Sequence, residues 1–161
     1  MPLEYHRDGY HISTGPALID LDVVHGYLRR SYWSPGIRRE IVEAGVRNSL
    51  CYGVYDTSGE RPTQVGFGRV ISDYAVLAYI CDVFVLEPHR GRGLSKWLVE
   101  CMLAHPDLGR LRRWLLATGD AHTLYSRYGF ALVPENRWME RVDSESWKET
   151  GGSGSQPVPP G

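Results

Sequence analysis

The chain has 161 residues, with 18 Lys and Arg against 19 Asp and Glu, and a formal net charge of -1. A chain of this length is the size of one ordinary domain and can bury about 70% of the surface that it exposes when unfolded. Hydrophobic residues at 42% and charged residues at 23% are typical of a globular protein and exclude a disordered one. The balanced charge argues against a protein that mainly holds nucleic acid, because such proteins usually present a strongly basic face.

The apolar residues and the cysteines give no sign of a membrane or secreted protein. No apolar run approaches the ~20 residues that span a bilayer, so we expect no membrane partner. The first ten residues include several charged side chains and no apolar segment, so we expect no secretory signal and a cytoplasmic location. Cys51, Cys81 and Cys101 form no CxxC pair and no zinc-type cluster, which predicts reduced, buried thiols and no metal site.

Apolar periodicity and turn residues predict the elements of the first half of the chain. In chain order they are a strand at 10–13, helices at about 22–31 and 37–48, and strands at 50–55, 64–72 and 75–86. Asp20 or Asp22 can cap the first helix, and Pro35 and Gly36 separate it from the second. The run at 75–86 is almost continuously apolar, which predicts a strand buried on both faces.

The second half begins where Pro88 ends the apolar run and the pattern becomes helical. Apolar side chains recur at i, i+3, i+4, i+7 and i+8 from Leu94 to Met102, and the helix stops before Pro106. After it come a strand at 113–118, a helix at about 121–128, and strands at 130–133 and 137–142. This order predicts a single α/β (α+β) domain with a mixed six- to seven-stranded sheet and helices on both faces.

The end of the chain differs in composition from the rest. Residues 151–161 consist mainly of Gly, Ser and Pro and have too little apolar surface to fold on their own. We therefore predict a folded domain over residues 1–149 and a flexible tail over residues 150–161.

A basic, glycine-bearing loop joins the most apolar strand to the following helix, and it has the sequence Arg90-Gly-Arg-Gly-Leu-Ser-Lys96. The first N–H groups of a helix have no partner within the helix, and the helix dipole favours an anion there. Gly91 and Gly93 let the backbone approach a phosphate closely, and three cations add positive charge. The loop therefore predicts an anion site, most plausibly for a pyrophosphate. The alternative is that the two glycines only turn the chain.

This loop resembles the R/Q-x-x-G-x-G/A acyl-CoA motif of the GNAT N-acetyltransferase superfamily, with Ser95 where Gly or Ala is usual. A second segment, 118–130, is similar to the family's short helix that bears a tyrosine and ends in Gly-Phe. The order of elements from residue 10 to residue 142 also resembles that fold. Segments 81–98 and 115–130 further resemble a bacterial branch of the superfamily.

The resemblance implies that acetyl-CoA is the co-substrate and lies in a V-shaped opening between the strands at 75–86 and 113–118. Backbone groups of the first strand pair with the pantetheine arm, and amides at the helix start hold the pyrophosphate. The residues expected to bind acetyl-CoA are Phe84, Val85, Arg90, Gly91, Arg92, Gly93, Leu94, Ser95 and Lys96. In such proteins an amine attacks the thioester directly, without a covalent enzyme intermediate.

Such a reaction needs a neutral amine, a donor for the oxyanion and an acid for the departing thiolate. The resemblance assigns the acid to Tyr125, since a phenol with a pKa near ~10 is protonated at neutral pH. The alternative is a packing tyrosine on a short helix.

The resemblance leaves three candidates for the base. Many GNAT proteins use a glutamate at the position that aligns with Cys81, where a thiol is a poor substitute. Asp82 is the first candidate, although strand alternation turns it to the opposite face unless a bulge intervenes. His122 is the second, since His has a suitable intrinsic pKa, and a base relayed through water is the third. Asp120 stands beside His122, where a helix N-cap is expected.

In this superfamily the segment between the first two helices largely sets acceptor specificity. Here that segment contains Tyr32 and Trp33, whose aromatic faces can form the wall of a site for an apolar or cationic acceptor. An equally plausible role is that the two rings dock the helices.

Three functions follow in order of preference. The first is acetyl-CoA-dependent N-acetylation of a primary amine on a small molecule. The second is acetylation of a protein lysine or N-terminus, and the third is a non-catalytic acyl-CoA sensor. Dimers are frequent in the superfamily, so the resemblance leaves a homodimer open.

Overall fold

The computed structural model of the chain describes residues 1–143 and 145–149, and in these ranges six strands form one sheet in chain order. The strands are β1 Glu4–Arg7, β2 Tyr10–Ser13, β3 Leu50–Asp56, β4 Thr63–Ser72, β5 Leu77–Val85 and β6 Arg113–Leu116. The helices are α1 Leu21–Leu28, α2 Arg39–Arg47, α3 Leu94–Leu103 and α4 His122–Ser126. Neighbouring strands are antiparallel except β5 and β6, which are parallel, so the predicted mixed sheet is confirmed.

The two faces of the sheet bury different helices, as predicted. Leu98 and Met102 of α3 lie in the apolar cluster on one face. Val24 and Leu28 of α1 lie in a second cluster on the other face, together with Phe67 of β4 and part of α2. A one-residue β-bulge between β4 and β5 lies between these clusters, and it is described below because it positions a carboxylate.

The N-terminal hairpin was not predicted. β1 pairs with β2 in antiparallel register across a two-residue turn formed by Asp8 and Gly9, which both have positive φ, at 48° and 77°. An Asp-Gly pair between two short strands is the standard sequence signal for such a turn. The hairpin brings Arg7 close to the start of α3, which matters for the phosphate loop.

The two strands predicted near the end of the domain are wrong. Within residues 1–143 and 145–149, the segments 130–133 and 137–142 pair with no strand, and Leu132 and Met139 are 84% and 98% exposed. Strand propensity reflects burial against a neighbour, and these side chains bury no common face. A turn in which the N–H of Arg137 donates to the carbonyl of Pro134 separates the two segments. The predicted tail at 150–161 lies outside the described residues.

The cysteines are free thiols, with Cys51 and Cys101 buried and Cys81 partly buried. In the described ranges no group of three or more His, Cys, Asp or Glu side chains could hold a metal ion. No helix in those ranges is long and apolar enough to cross a membrane.

Candidate active site

β5 and β6 run side by side and then part. Residues 77–80 of β5 are the register partners of residues 113–116 of β6, where β6 ends. β5 continues to Val85, so its residues 81–85 have a strand partner only on the β4 side. Backbone groups along the other edge are thus available to an extended ligand, which can add to a sheet edge as a further strand.

The predicted phosphate loop follows β5 directly. Gly91 and Gly93 are exposed and have φ of 76° and 73°, in the left-handed region that favours glycine. Gly93 immediately precedes α3, and no side chain caps this helix end. The first N–H groups of α3 and the exposed side chains of Arg92 and Lys96 therefore remain available to an anion.

Two arginines brace this loop instead of pointing into it. Arg90 donates from Nε to the carbonyl of Val85 at 2.9 Å and from a guanidinium nitrogen to the Tyr27 hydroxyl at 3.2 Å. Arg7 donates to the carbonyl of Gly93 at 3.1 Å. Its guanidinium also stacks on the Trp97 ring of α3, with the central carbon 4.5 Å from the ring centroid. Arg90 thus closes the loop on β5, and Arg7 ties the loop to the N-terminal hairpin.

A β-bulge turns Asp82 toward the helices α1 and α2. Phe67 pairs with Phe84 and Arg69 pairs with Cys81, so Gly68 alone opposes two residues of β5. Asp82 is one of these two residues of the bulge, and its φ is positive, at 55°. A side chain at Gly68 would collide with Met102 of α3, so the close packing of α3 favours glycine here.

The carboxylate of Asp82 is held on both oxygens. Arg69 Nε donates to Oδ2 at 2.5 Å, and Trp33 Nε1 donates to Oδ1 at 3.2 Å. Arg69 also donates to the hydroxyl of Ser49 at 2.9 Å. Both members of the ion pair are largely shielded from solvent, with side chains 20% and 11% exposed. Asp82 therefore lies on the face of the sheet that carries α1 and α2, the predicted acceptor side, as one member of an ion pair.

Cys81, beside it, is unsuited to take a proton from an amine. Burial raises the pKa of the Cys81 thiol to about 12, although the nearby Arg69 guanidinium opposes that rise. The thiol is therefore protonated and neutral at physiological pH. This agrees with the expectation that Cys81 does not replace the family's glutamate.

Tyr125 is buried in α4, only 7% exposed, with its ring edge-on to Phe130. Burial, with smaller contributions from the neighbouring Tyr32 and Asp120, raises the pKa of Tyr125 to about 12. In the part of the chain that the structure describes, its hydroxyl has no hydrogen-bond partner. The phenol is therefore protonated at neutral pH and has a proton free to donate.

The loop before α4 holds the remaining candidates. Asp120 does not cap α4 as expected, because the Thr118 hydroxyl accepts from the N–H of Ala121 at 2.9 Å instead. Asp120 Oδ1 accepts a hydrogen bond of 3.4 Å from the Tyr32 hydroxyl, which itself accepts from the N–H of Gly119 at 3.3 Å. His122 is exposed at the start of α4, and its ring makes no hydrogen bond within the described ranges.

Aromatic rings line the acceptor side from this loop to β5; we call them the aromatic wall. Its rings are Tyr32, Trp33, Tyr27 and Phe84. Tyr32 and Trp33 meet edge to face at 4.9 Å, and Tyr27 stacks on Phe84 at 3.9 Å. The two predicted acceptor residues are thus brought together with Asp82 and Asp120, while His122 stands apart from the wall.

A cavity of about 770 Å³ lies outside the opening. It is lined by β6, α4 and residues 128–133, and none of its lining residues belongs to β5. Tyr125 and His122 reach its wall from one end. The cavity therefore flanks the free edge of β6 and is not the opening between the two strands.

Sequence reasoning missed Arg69, Arg7 and the contact between Tyr32 and Asp120. A lone arginine inside the apolar run at 64–72 was an available signal for a buried ion pair, because such charges are rarely buried without a partner. No local sequence feature indicated the role of Arg7. None indicated the contact between Tyr32 and Asp120 either, since these residues are 88 positions apart.

Comparison with known proteins identifies the class. A family model described as an acetyltransferase (GNAT) domain matches residues 47–132, which is more than half of the chain. The crystal structure of a protein of the GNAT family from Xanthomonas campestris pv. campestris is 43% identical and superposes with a TM-score of 0.80. The similarity covers 89% of this chain and 100% of that one. The chain therefore belongs to the GNAT family of acetyltransferases.

Two further relatives agree with this assignment. A Gibberella zeae protein that is provisionally named an acetyltransferase is 29% identical in an alignment of 143 positions that covers 78% of this chain and 81% of that protein. A GNAT family acetyltransferase from Elizabethkingia anophelis, solved with acetyl-CoA bound, has a TM-score of 0.59 over 80% of each chain. At 16% identity the second likeness shows the shared fold alone.

Proposed function

We propose that this protein is an acetyl-CoA-dependent N-acetyltransferase that moves an acetyl group to the primary amine of a small molecule. The observation that carries the proposal is the parting of β5 from β6 directly before the phosphate loop, in a chain of the GNAT family. Acetyl-CoA bound to the Elizabethkingia anophelis protein of the same fold supports the choice of donor.

The residues present suit acetyl-CoA. The free edge of β5 at 81–85 offers backbone partners to the amides of the pantetheine arm, although the Val85 carbonyl is already used by Arg90. The uncapped start of α3 with Arg92 and Lys96 suits the pyrophosphate. In the proposed role Gly91, Gly93, Leu94 and Ser95 contribute their backbone to this cradle. Bound acetyl-CoA supplies the thioester whose carbonyl carbon the amine attacks.

We assign to Tyr125 the role of the general acid that donates a proton to the departing thiolate. Its raised pKa, about 12, keeps the phenol protonated at neutral pH, and its hydroxyl has no competing partner in the described residues. A departing thiolate with an ordinary pKa near ~8.5 gains from such a donor.

We assign the removal of a proton from the amine to Asp82, directly or through a water molecule. Arg69 and Trp33 hold its carboxylate as an anion on the acceptor side, and each oxygen keeps a further lone pair. His122 is the second candidate, because it is exposed near Tyr125 and free of partners in the described ranges. The aromatic wall favours a small acceptor over a protein chain, since Tyr32 and Asp120 meet across its end.

The direct test is release of free thiol from acetyl-CoA by the full chain, with and without pools of polyamines, amino acids, monoamines and short peptides. Stimulation by a small-amine pool supports the proposal. Stimulation by peptides alone favours a protein acetyltransferase. If acetyl-CoA raises the melting temperature but no pool is acetylated, a sensor replaces the enzyme.

A further inference from the structure

Two carboxylates flank the aromatic wall, and they differ in how their charge is balanced. Asp82 is paired with Arg69 at 2.5 Å. Asp120 is exposed, and among the described residues no Lys, Arg or His nitrogen lies within 4 Å of its carboxylate. Its Oδ1 accepts a long hydrogen bond from the neutral Tyr32 hydroxyl, at 3.4 Å. The acceptor side therefore carries one uncompensated negative charge, at the end of the wall.

This charge lies in the loop that leads into α4, the helix that bears the residue assigned as the acid. Asp120 stands five positions before Tyr125, and its carboxylate accepts from the Tyr32 hydroxyl. The Tyr32 hydroxyl is fixed to the loop before α4 by its bond from Gly119, while 49% of the side chain remains exposed. A carboxylate and an accessible aromatic ring thus meet at the entrance to the proposed acceptor site.

These two groups together recognise one kind of ligand. An aromatic face attracts an ammonium group, and a carboxylate accepts charge-assisted hydrogen bonds from it. The same carboxylate repels a ligand that bears its own carboxylate beside the amino group. An amine with a pKa near ~10 arrives almost entirely as the ammonium ion at neutral pH, so this is the form that the entrance meets.

We infer that Asp120 and the ring of Tyr32 bind the acceptor as its ammonium ion. They select alkyl or arylalkyl primary amines that have no carboxylate beside the amino group. This inference rests on the proposed function and names the substrate class for it. The pair acts in binding, before the amine loses its proton, so its removal changes KM and not kcat.

A pair of probes of the same shape tests the inference. 2-Phenylethylamine is a cation at pH 7, whereas O-benzylhydroxylamine has an oxygen in place of one methylene and is neutral. With saturating acetyl-CoA, Asp120→Asn raises KM for 2-phenylethylamine about tenfold or more, as expected for a lost hydrogen bond to a charged group. KM for O-benzylhydroxylamine stays within about twofold, because no charge contact is lost. L-Phenylalanine, a poor acceptor for the native chain, improves relative to 2-phenylethylamine in the variant.

The controls separate charge from shape. Asp107→Asn removes an exposed carboxylate elsewhere and leaves both KM values unchanged. Tyr32→Ala removes the ring while keeping the Asp120 charge, and it weakens the binding of 2-phenylethylamine.

Equal effects of Asp120→Asn on the two probes overturn the inference. The inference is also overturned if the native chain acetylates other classes of amine but does not acetylate 2-phenylethylamine. That result leaves the proposed function intact. If no amine is acetylated at all, the proposed function fails and this inference fails with it.

Discussion

The phosphate loop and the acceptor side of this protein differ in how much of the chain builds them. Most of the loop comes from one stretch, residues 87–96, between β5 and α3. The acceptor side combines the segment between α1 and α2, the bulge of β4 and β5, and the loop before α4. A site made of neighbours in sequence can be predicted from a motif, whereas a site made of distant segments becomes visible only once the fold brings them together.

The same difference appears in the comparison with relatives. The match to the GNAT family model at 47–132 includes the phosphate loop and Tyr125. Tyr32 and Trp33 precede it, so the matched region contains the proposed donor machinery and only part of the acceptor side.

The largest effect is expected in the loop, from Gly93→Asp. The new carboxylate adds a negative charge to the proposed pyrophosphate loop, with its Cβ 3.8 Å from a guanidinium nitrogen of Arg7. Two like charges ~4 Å apart repel by about 4 kcal/mol at an effective dielectric constant of ~20. We expect the Kd for acetyl-CoA, measured by titration calorimetry, to rise about 100-fold or more. Gly93→Asn is the matched control, because it has the same shape and tolerates positive φ without the charge. Equal losses from both variants would place the cause in the backbone and not in an anion site.

Next in size is Tyr125→Phe, which removes the proposed acid. We expect kcat to fall about 100-fold, within the usual range for a general acid, with little change in the Kd for acetyl-CoA. Because the pKa of Tyr125 is raised to about 12, its deprotonation contributes no loss of kcat between pH 7 and pH 10. Tyr128→Phe, which removes a hydroxyl bonded to Glu100 on the surface, serves as control. A large loss of acetyl-CoA affinity in Tyr125→Phe would show a structural residue instead.

On the acceptor side, Asp82→Asn tests the buried ion pair. Arg69 would keep its charge without the carboxylate that balances it, which costs about 3 kcal/mol of unfolding free energy, measured by urea denaturation. Asp22→Asn, which breaks an exposed pair with Arg39, should cause no measurable loss.

A double variant tests whether Asp82 acts in catalysis as well as in folding, because stability and kcat are measured separately. Arg69→Met with Asp82→Asn removes both charges and should recover most of the stability without recovering kcat. Recovery of kcat in the double variant would mean that Asp82 serves the fold alone.

The smallest effect is expected from Arg7→Ala, which cuts the contact between the hairpin and the loop. Loss of its bond to the Gly93 carbonyl, worth about 1 kcal/mol, should raise the Kd for acetyl-CoA about fivefold with no change in kcat. Arg61→Ala, on an exposed turn, is the control for the lost positive charge. An unchanged Kd would show that the loop needs no support from outside its own segment.

The limits of prediction follow from the same physics. The loop and the start of the helix at Leu94 were predictable because the glycines, the cations and the helical spacing of apolar residues all lie in one short segment of the sequence. The face that Asp82 occupies was not predictable, because a single bulged residue reverses strand alternation and no local sequence signal marks its position. Residues 130–133 have the composition of a strand but find no pairing neighbour among the described residues, and sequence alone does not show whether such a neighbour lies beside them.

The measurement that tests the central claim most directly is mass spectrometry of both partners after the full chain is incubated with acetyl-CoA and a pool of small primary amines. Direct attack predicts an amine that carries one added acetyl group and a protein of unchanged mass. Amines left unmodified, or an acetyl group found on a protein thiol such as Cys81, would contradict it.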